Sequence, residues 1–273
     1  MKIKTICIGG GGFVGYAYYG ALKFLKENNH LAECDTYIGT SAGAPLALIF
    51  SLELPEGMIE NLLASLTASF CENDLDLLEF QNNWGVCNKK TLLTTFNDAL
   101  KTLFHEHLTF AQLHSYTKKK LVITSVNLTK QCTVHFSYEN FPNMQIIDAL
   151  EASMNIPIVM TKKIIDNDVY CDGCLGPSVS VDASCDPKCN TLILHHFKSK
   201  ESSCEINSFE TYVLSMFKFL TKTPTYFYDN YPKILIDSSE IPFMSANYEY
   251  INNLKDQFIE TGYDAAKMWA STV

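Results

Sequence analysis

The chain has 273 residues, of which 47% are hydrophobic and 19% charged, a composition typical of a globular protein and not of a disordered or fibrous one. Its 21 basic and 30 acidic residues give a net charge of −9, which argues against nucleic-acid binding because that needs a basic surface. No run of about 18 apolar residues is present, so the sequence predicts no membrane-spanning helix.

The predicted elements alternate between strands and helices. The predicted strands cover residues 2–8, 36–38, 121–128, 132–137, 169–171 and 191–197. The predicted helices cover a segment from Val14 to Asn28 and residues 42–52, 57–70, 89–104, 148–154, 205–220 and 246–270. This alternation favours an α/β fold with a largely parallel sheet. We expect a single domain over residues 1–273, with a helical C-terminal part over 198–273, because no linker or repeat divides the chain.

The ten cysteines are relevant to the cellular compartment in which the protein resides, because the compartment determines whether thiols stay reduced. The apolar stretch near the N-terminus is too short for a signal peptide, so we expect reduced thiols and a cytoplasmic protein.

A candidate nucleophile lies between the second strand and the following helix. Gly39-Thr40-Ser41-Ala42-Gly43 is a G-x-S-x-G pattern, and a serine on a sharp strand-to-helix turn has its hydroxyl clear of the backbone. The helix N-terminus behind it favours developing negative charge. We therefore interpret Ser41 as a nucleophile and Gly39 and Gly43 as the small residues of its turn.

Besides a purely structural turn, the glycine run after the first strand permits two functional interpretations. Gly10, Gly12 and Gly15 form the G-x-G-x-x-G pattern of dinucleotide-binding proteins. That pattern expects an acidic residue at the end of the second strand, whereas Glu33 and Asp35 precede that strand. The alternative is an oxyanion hole, in which the backbone amides of Gly10, Gly11 and Gly12 converge beside the serine.

The proton acceptor for Ser41 is also open to two interpretations. A Ser-Asp-His order, as in α/β-hydrolases, can be assembled from Ser41, Asp172 and either His195 or His196. Alternatively, Asp172 of the Asp172-Gly173 turn ends a short strand and reaches the serine directly as the base.

The glycine loop, the G-x-S-x-G turn and the Asp-Gly turn, in this order, resemble the patatin-like phospholipase family. The segment from Ala152 to Pro157 resembles that family's Ala-Ser-x-x-Ile-Pro segment, and the resemblance covers about residues 3–197. It implies a three-layer α/β/α fold with a central, mostly parallel sheet. Val14 replaces the Arg or Lys of many relatives, and Cys174 replaces their usual Gly or Ala.

The resemblance implies a Ser-Asp dyad, with Ser41 as nucleophile, Asp172 as base and Gly10, Gly11 and Gly12 as oxyanion donors. The implied reaction is hydrolysis of fatty acyl esters through an acyl-serine intermediate, without a metal or other cofactor. The implied partners are lipid substrates and membrane surfaces contacted peripherally. A catalytically impaired lipid- or protein-binding module on the same fold is the alternative.

Two further features have more than one interpretation. Four cysteines have a spacing that zinc ligands also show, although free thiols are the preferred interpretation because Cys171 completes a strand; these are Cys171, Cys174, Cys185 and Cys189. Residues 209–231 are rich in aromatic side chains, which pack on the core or form an apolar surface where a lipid enters.

Overall fold

The computed structural model describes residues 2–71, 77–87, 93–104, 107–181, 185, 190–200, 206–222, 228–245 and 247–272. Its strands are β1 (Thr5–Ile8), β2 (Thr36–Thr40), β3 (Gly85–Cys87), β4 (Lys120–Asn127), β5 (Cys132–Phe136), β6 (Ile158–Met160), β7 (Lys163–Ile165), β8 (Asp168–Asp172), β9 (Thr191–Phe197) and β10 (Lys233–Asp237). Its helices are α1 (Val14–Glu27), α2 (Gly43–Ser51), α3 (Glu56–Cys71), α4 (Leu77–Asn83), α5 (Thr94–Phe104), α6 (Phe110–Thr117), α7 (Ile146–Ser153), α8 (Phe209–Leu220) and α9 (Tyr248–Ala270).

All six predicted strands are present, and each predicted helix has a counterpart with shifted ends. Residues 89–92, 205 and 246 of the predicted helices lie outside the described residues. The sequence did not predict α4, α6, β3, β6, β7 or β10. The C-terminal part is therefore not purely helical, because β10 lies within it and pairs in parallel with β9.

Eight of the described strands form one sheet, with the order β10-β9-β1-β2-β4-β8-β7 and β5 paired to β4. The pairs from β10 across to β4 are parallel, whereas β5, β7 and β8 pair antiparallel to their neighbours. This mixed, mostly parallel sheet flanked by helices confirms the predicted α/β class.

Strands β2 and β8 share one edge of β4. The register pairs Ile123 and Thr124 of β4 with β2 and with β5, so these two neighbours occupy opposite edges. The next residue, Ser125, pairs with β5 and with Asp172 of β8. Strand β8 therefore continues the edge that β2 leaves at Thr40, and the C-terminal ends of β2 and β8 meet head to head.

Both faces of the sheet are covered by apolar side chains. Ile6 and Ile8 of β1 belong to the larger core cluster, which also contains side chains of α1, α2, α7 and α9. Cys7 points to the opposite face and packs there with Val179 and Tyr228. The alternation of side chains along a strand explains why consecutive residues of β1 enter different clusters.

Helix α9 packs along α1, the helix that follows the glycine loop. Glycines allow the closest approach of the two backbones. A Cβ atom on Gly262 of α9 would lie 1.7 Å from the carbonyl oxygen of Ala17, and one on Gly20 would lie 1.9 Å from that of Ile259.

Within the part of the chain that the structure describes, no helix has both the length and the apolar character to cross a bilayer.

Candidate active site

Ser41 lies in a sharp turn between β2 and α2. Its backbone has a φ of +50°, in the left-handed region that a non-glycine residue rarely adopts. The flanking glycines are explained by space, since a Cβ on Gly39 would lie 2.5 Å from the Cα of Ala44 and one on Gly43 would lie 2.4 Å from the carbonyl oxygen of Ile8. Glycine at position 39 therefore lets β2 approach α2, and glycine at position 43 lets α2 approach the end of β1.

The hydroxyl of Ser41 donates a hydrogen bond of 2.7 Å to Oδ2 of Asp172. The other carboxylate oxygen, Oδ1, accepts from the backbone amide of Cys174 at 2.8 Å. This second bond closes the short 3-10 turn over Gly173–Leu175, which Asp172 caps. Asp172 is completely buried, and Ser41 retains 9% of its surface. The structure thus brings together the two side chains that the sequence analysis identified as candidate nucleophile and base.

The segment from Ala152 to Pro157 holds both members of this pair. The Oγ atom of Ser153, at the end of α7, accepts from the amide of Ser41 at 2.9 Å. Two residues later, the carbonyl oxygen of Asn155 accepts from the amide of Asp172 at 2.7 Å. The sequence analysis cited this segment only for its resemblance, because these contacts with β2 and β8 arise only in the folded chain.

The structure does not support the expectation that the amide of Gly10 is an oxyanion donor. Its amide N–H donates to the carbonyl oxygen of Ser178 at 3.0 Å, so this donor is already used within the protein. Its carbonyl oxygen accepts from the hydroxyl of Tyr18 at 3.1 Å. Gly10 fixes the loop beside the serine, and a Cβ atom here would lie 3.0 Å from the Cβ of Ser41.

Gly11 and Gly12 adopt backbone conformations that favour glycine, with φ angles of +147° and +60°. A Cβ on Gly12 would also lie 1.9 Å from the carbonyl oxygen of Phe243. Among the described residues, no acceptor takes the amide N–H of either glycine. Both carbonyl oxygens accept from the first residues of α1, Gly11 from Val14 and Gly12 from Gly15. Gly11 and Gly12 are thus held through their carbonyl groups, whereas the neighbouring Gly10 and Phe13 are held through their amides.

Cys174 fills the space between the glycine loop and the Ser41–Asp172 pair. Its Sγ atom lies 2.1 Å from the position that a Cβ on Gly10 would take, so a side chain cannot be present at both positions. Burial raises the pKa of the Cys174 thiol well above its usual value, and the adjacent Asp172 raises it further. The thiol is therefore neutral at physiological pH.

The two histidines considered as bases have other partners, although Nε2 of His196 lies beside the glycine loop, 3.0 Å from the position that a Cβ on Gly11 would take. Nδ1 of His196 pairs with Oγ of Ser238 at 2.8 Å, and the His195 ring packs edge-on against Tyr228. Burial, followed by the charges of His195 and nearby lysines, lowers the pKa of His196 to about 3. The hydroxyl of Ser41 donates to Asp172 instead, which favours the second of the two interpretations of the base.

The three described thiols of the suggested zinc site point to different neighbours. Cys171 donates to the carbonyl oxygen of Val126 at 3.7 Å, Cys174 lies beside Gly10, and the Sγ of Cys185 is 3.6 Å from that of Cys7. Cys189 lies outside the described residues. Within the described ranges, no group of three or more His, Cys, Asp or Glu side chains is arranged to hold a metal ion.

The dinucleotide interpretation lacks its acidic residue. Glu33 precedes β2 and pairs with Lys2 at 2.6 Å, and Asp35 accepts from the hydroxyl of Thr36, the first residue of β2. The C-terminal end of β2 carries Thr40 and the Ser41 turn instead. A ribose hydroxyl would therefore not find a carboxylate at this end of the strand.

The chain belongs to the patatin-like phospholipase family, whose family model matches residues 6–183. Membership of this family supports a lipid hydrolase activity in general. Two viral proteins are similar in sequence. An uncharacterized protein of Acanthamoeba polyphaga mimivirus is 25% identical over 237 residues, which cover 79% of this chain and 75% of that protein. A probable lipid hydrolase of Invertebrate iridescent virus 6 is 25% identical over 205 residues, covering 73% and 67% respectively.

Among solved structures, VipD from Legionella pneumophila has a similar fold. The two structures superpose with a TM-score of 0.66 at 14% sequence identity, over 100% of this chain and 67% of VipD. This likeness confirms the expected patatin-like fold.

Proposed function

We propose that this protein is a serine hydrolase that cleaves fatty acyl esters of lipids through an acyl-Ser41 intermediate. The observation that carries the proposal is the 2.7 Å hydrogen bond from the Ser41 hydroxyl to Asp172. A carboxylate at this distance can take the proton of a nucleophile directly. The strained turn at Ser41 supports the same role, because such turns expose a serine hydroxyl to a substrate.

In the acylation step, Oγ of Ser41 forms a bond to the ester carbonyl carbon while its proton passes to Asp172. The resulting tetrahedral intermediate carries an oxyanion, for which the amides of Gly11 and Gly12 are the candidate donors. Preorganised amides of this kind are typically worth about 3 kcal/mol each in the transition state. Gly10 is omitted from this set, since Ser178 already accepts its amide hydrogen.

The intermediate then collapses. The bond to the alcohol oxygen breaks, Asp172 returns its proton to that oxygen, and the acyl group remains on Ser41. A water molecule, deprotonated by Asp172, attacks the acyl-serine in the same way and releases the fatty acid. The ester is thus split by one water molecule, and Ser41 and Asp172 return to their initial state.

Lipid esters are the substrate class that the comparisons favour. The family is one of phospholipases, and one similar viral protein is described as a probable lipid hydrolase. The 9% exposure of Ser41 against complete burial of Asp172 supports access of a substrate from the serine side only.

Labelling by a fluorophosphonate, together with fatty-acid release from phosphatidylcholine vesicles, tests the proposal. We expect the wild-type protein to be labelled and to release fatty acid, and Ser41→Ala to lose both properties. Ser51→Ala is a matched control, because it also removes the hydroxyl of a buried serine, one that bonds to Leu48 in its own helix. Undiminished labelling of Ser41→Ala would overturn the proposal. Vesicle binding by the wild type without fatty-acid release would favour a non-catalytic lipid-binding module.

A further inference from the structure

Helix α8 is apolar on two sides. Val213 and Phe217 face the core and are almost completely buried. A second set of large apolar side chains is exposed, with 39–79% of each side chain accessible, and consists of Phe209, Tyr212, Met216, Phe219 and Leu220. At 3.6 residues per turn these five fall within about 100° of the helix circumference. We call this set the α8 face.

The exposure of the α8 face is unusual for a helix on a globular protein. An apolar stripe on a helix normally faces the core, and here the core-facing stripe is formed by other residues. Phe219 is the most exposed large apolar side chain among the described residues, at 79%. Contiguous exposed apolar surface of this kind marks an interaction site.

The α8 face adjoins the candidate active site. On the inner side of the helix, the ring centroid of Phe217 lies 6.1 Å from that of Phe243. The carbonyl oxygen of Phe243 accepts from the amide of Phe13 at 3.2 Å and lies against Gly12. One residue therefore connects α8 to the glycine loop beside Ser41, so a surface that contacts α8 is brought close to the site.

One charge beside the α8 face is positive, although the whole chain carries −9. The exposed Lys222 follows the helix, two residues after Leu220. Lys218 of the last turn lies about 100° or more around the helix from each residue of the α8 face, so it is not part of this surface. Lysine side chains beside an apolar surface can extend their stems along it and place their charge among phosphate groups.

From these observations we infer that the α8 face docks the protein on the surface of a phospholipid bilayer, with the active site beside the contact. Phe219 and Leu220 enter the boundary between headgroups and acyl chains, and Lys222 meets the phosphates. Tyr212 suits the same boundary because it combines an apolar ring with a polar hydroxyl. The inference rests on the proposed function, since a lipid esterase must reach substrates that are packed in an aggregate.

Co-sedimentation with vesicles tests this inference in the Ser41→Ala background, where vesicles stay intact. Two vesicle types are used, phosphatidylcholine alone and an equal mixture with phosphatidylglycerol. We expect Phe219→Ser with Leu220→Ser to weaken binding to both types by at least about tenfold. Lys222→Gln should weaken binding several-fold to the mixed vesicles only.

Met268→Ser is the matched control, because Met268 is 72% exposed on a different helix, α9. It should bind vesicles as the parent protein does. Thermal unfolding of each variant checks that the fold is kept. With Ser41 restored, Phe219→Ser with Leu220→Ser should also lower the ratio of vesicle hydrolysis to hydrolysis of a soluble p-nitrophenyl ester.

Several outcomes overturn the inference. The first is that the parent protein binds neither vesicle type. The second is that the Phe219 and Leu220 variant binds as tightly as Met268→Ser. The third is a dimer that this double substitution dissociates, which assigns the α8 face to a second copy. Failure of the proposed function has a different outcome, because vesicles then bind through the α8 face but release no fatty acid even with Ser41 present.

Discussion

Ser41 and Asp172, which are 131 residues apart in sequence, are hydrogen-bonded because their strands end against the same edge of β4. Thr40 pairs with Thr124 and Asp172 pairs with the next residue, Ser125. The spacing of neighbouring residues along β4 thus sets the distance between the side chains of Ser41 and Asp172. A rigid sheet edge, and not a flexible loop, determines their relative position.

Replacement of the carboxylate tests this pair most directly. We expect Asp172→Asn to lower kcat by about 10²- to 10⁴-fold, since the amide keeps the shape of the side chain but is not a base. Steady-state hydrolysis of a soluble p-nitrophenyl ester measures the effect. Asp229→Asn is the control, because it changes an exposed carboxylate paired with Lys233. Comparable kcat values for the two variants would contradict a base at position 172.

Ser153 is expected to act as a positioning residue for Ser41. Ser153→Ala removes the acceptor of the Ser41 amide, and a buried N–H without an acceptor costs about 1–3 kcal/mol. We expect kcat to fall about tenfold or more with little change in KM, because the turn that presents the nucleophile is loosened.

Ser51→Ala provides the comparison for Ser153→Ala, since it also removes a buried serine hydroxyl with a hydrogen bond of 2.8 Å. Urea unfolding gives the loss of stability of each variant, and we expect the smaller loss for Ser51→Ala because the carbonyl oxygen of Leu48 also accepts from the amide of Leu52. If both variants lose the same fraction of activity, the effect of Ser153 is one of stability alone.

His196 gives the stability of the protein a defined pH dependence. In the unfolded chain this histidine takes up a proton near its usual pKa of 6.5, whereas burial lowers its folded pKa to about 3. The unfolded state therefore binds more protons between these values. Stability contributed by neutral His196 is present above about pH 6.5 and lost as the pH falls, by up to about 1.4 kcal/mol per pH unit.

Urea unfolding of His196→Asn over the same pH range measures this contribution. Asparagine has no titrating ring, and it keeps a polar atom for the bond to Ser238. We expect the free energy of unfolding of this variant to depend less steeply on pH below 6.5. Parallel curves for the variant and the wild type would contradict the lowered pKa of His196.

The thiols should differ strongly in their rate of alkylation. The thiolate is the reactive form, and burial raises the pKa of Cys174 well above its usual value and that of Cys34 to about 12. We expect iodoacetamide at mildly alkaline pH to modify exposed Cys132 before Cys174 and Cys34, which should react only after denaturation. Peptide mass spectrometry measures the order. Alkylation of native Cys174 as fast as Cys132 would show a reactive thiol beside Ser41.

Local sequence patterns were sufficient for the elements on either side of Ser41. An apolar run that ends at Gly39 predicts β2, and the small and apolar residues from Ala42 onward predict α2. The role of Ser153 could not be predicted in this way. Its partner, the amide of Ser41, is 112 residues away in sequence, and such a contact has no local signature.

The glycine loop likewise could be predicted only in part from the sequence. The run from Gly9 to Gly12 predicts a loop with exposed backbone amides, but not which amide is already used. Only the folded chain places the carbonyl oxygen of Ser178 against Gly10. Strand β10 is different, since its buried Ile234 and Ile236 alternate with partly exposed neighbours. In the sequence, Ile234, Leu235 and Ile236 form a continuous apolar run, so the alternation exists only as burial in the folded chain, and the expectation of a helical C-terminal part overlooked this strand.

The close packing of α9 on α1 links the glycine loop to residues near the other end of the chain. During synthesis the ribosome releases the loop, Ser41 and Asp172 long before Tyr248–Ala270 emerges. Until then α1 lacks the surface that Gly20 and Gly262 fit together. A nascent chain, or a proteolytic fragment without α9, thus contains every residue of the candidate site but not the support that keeps its amides in place.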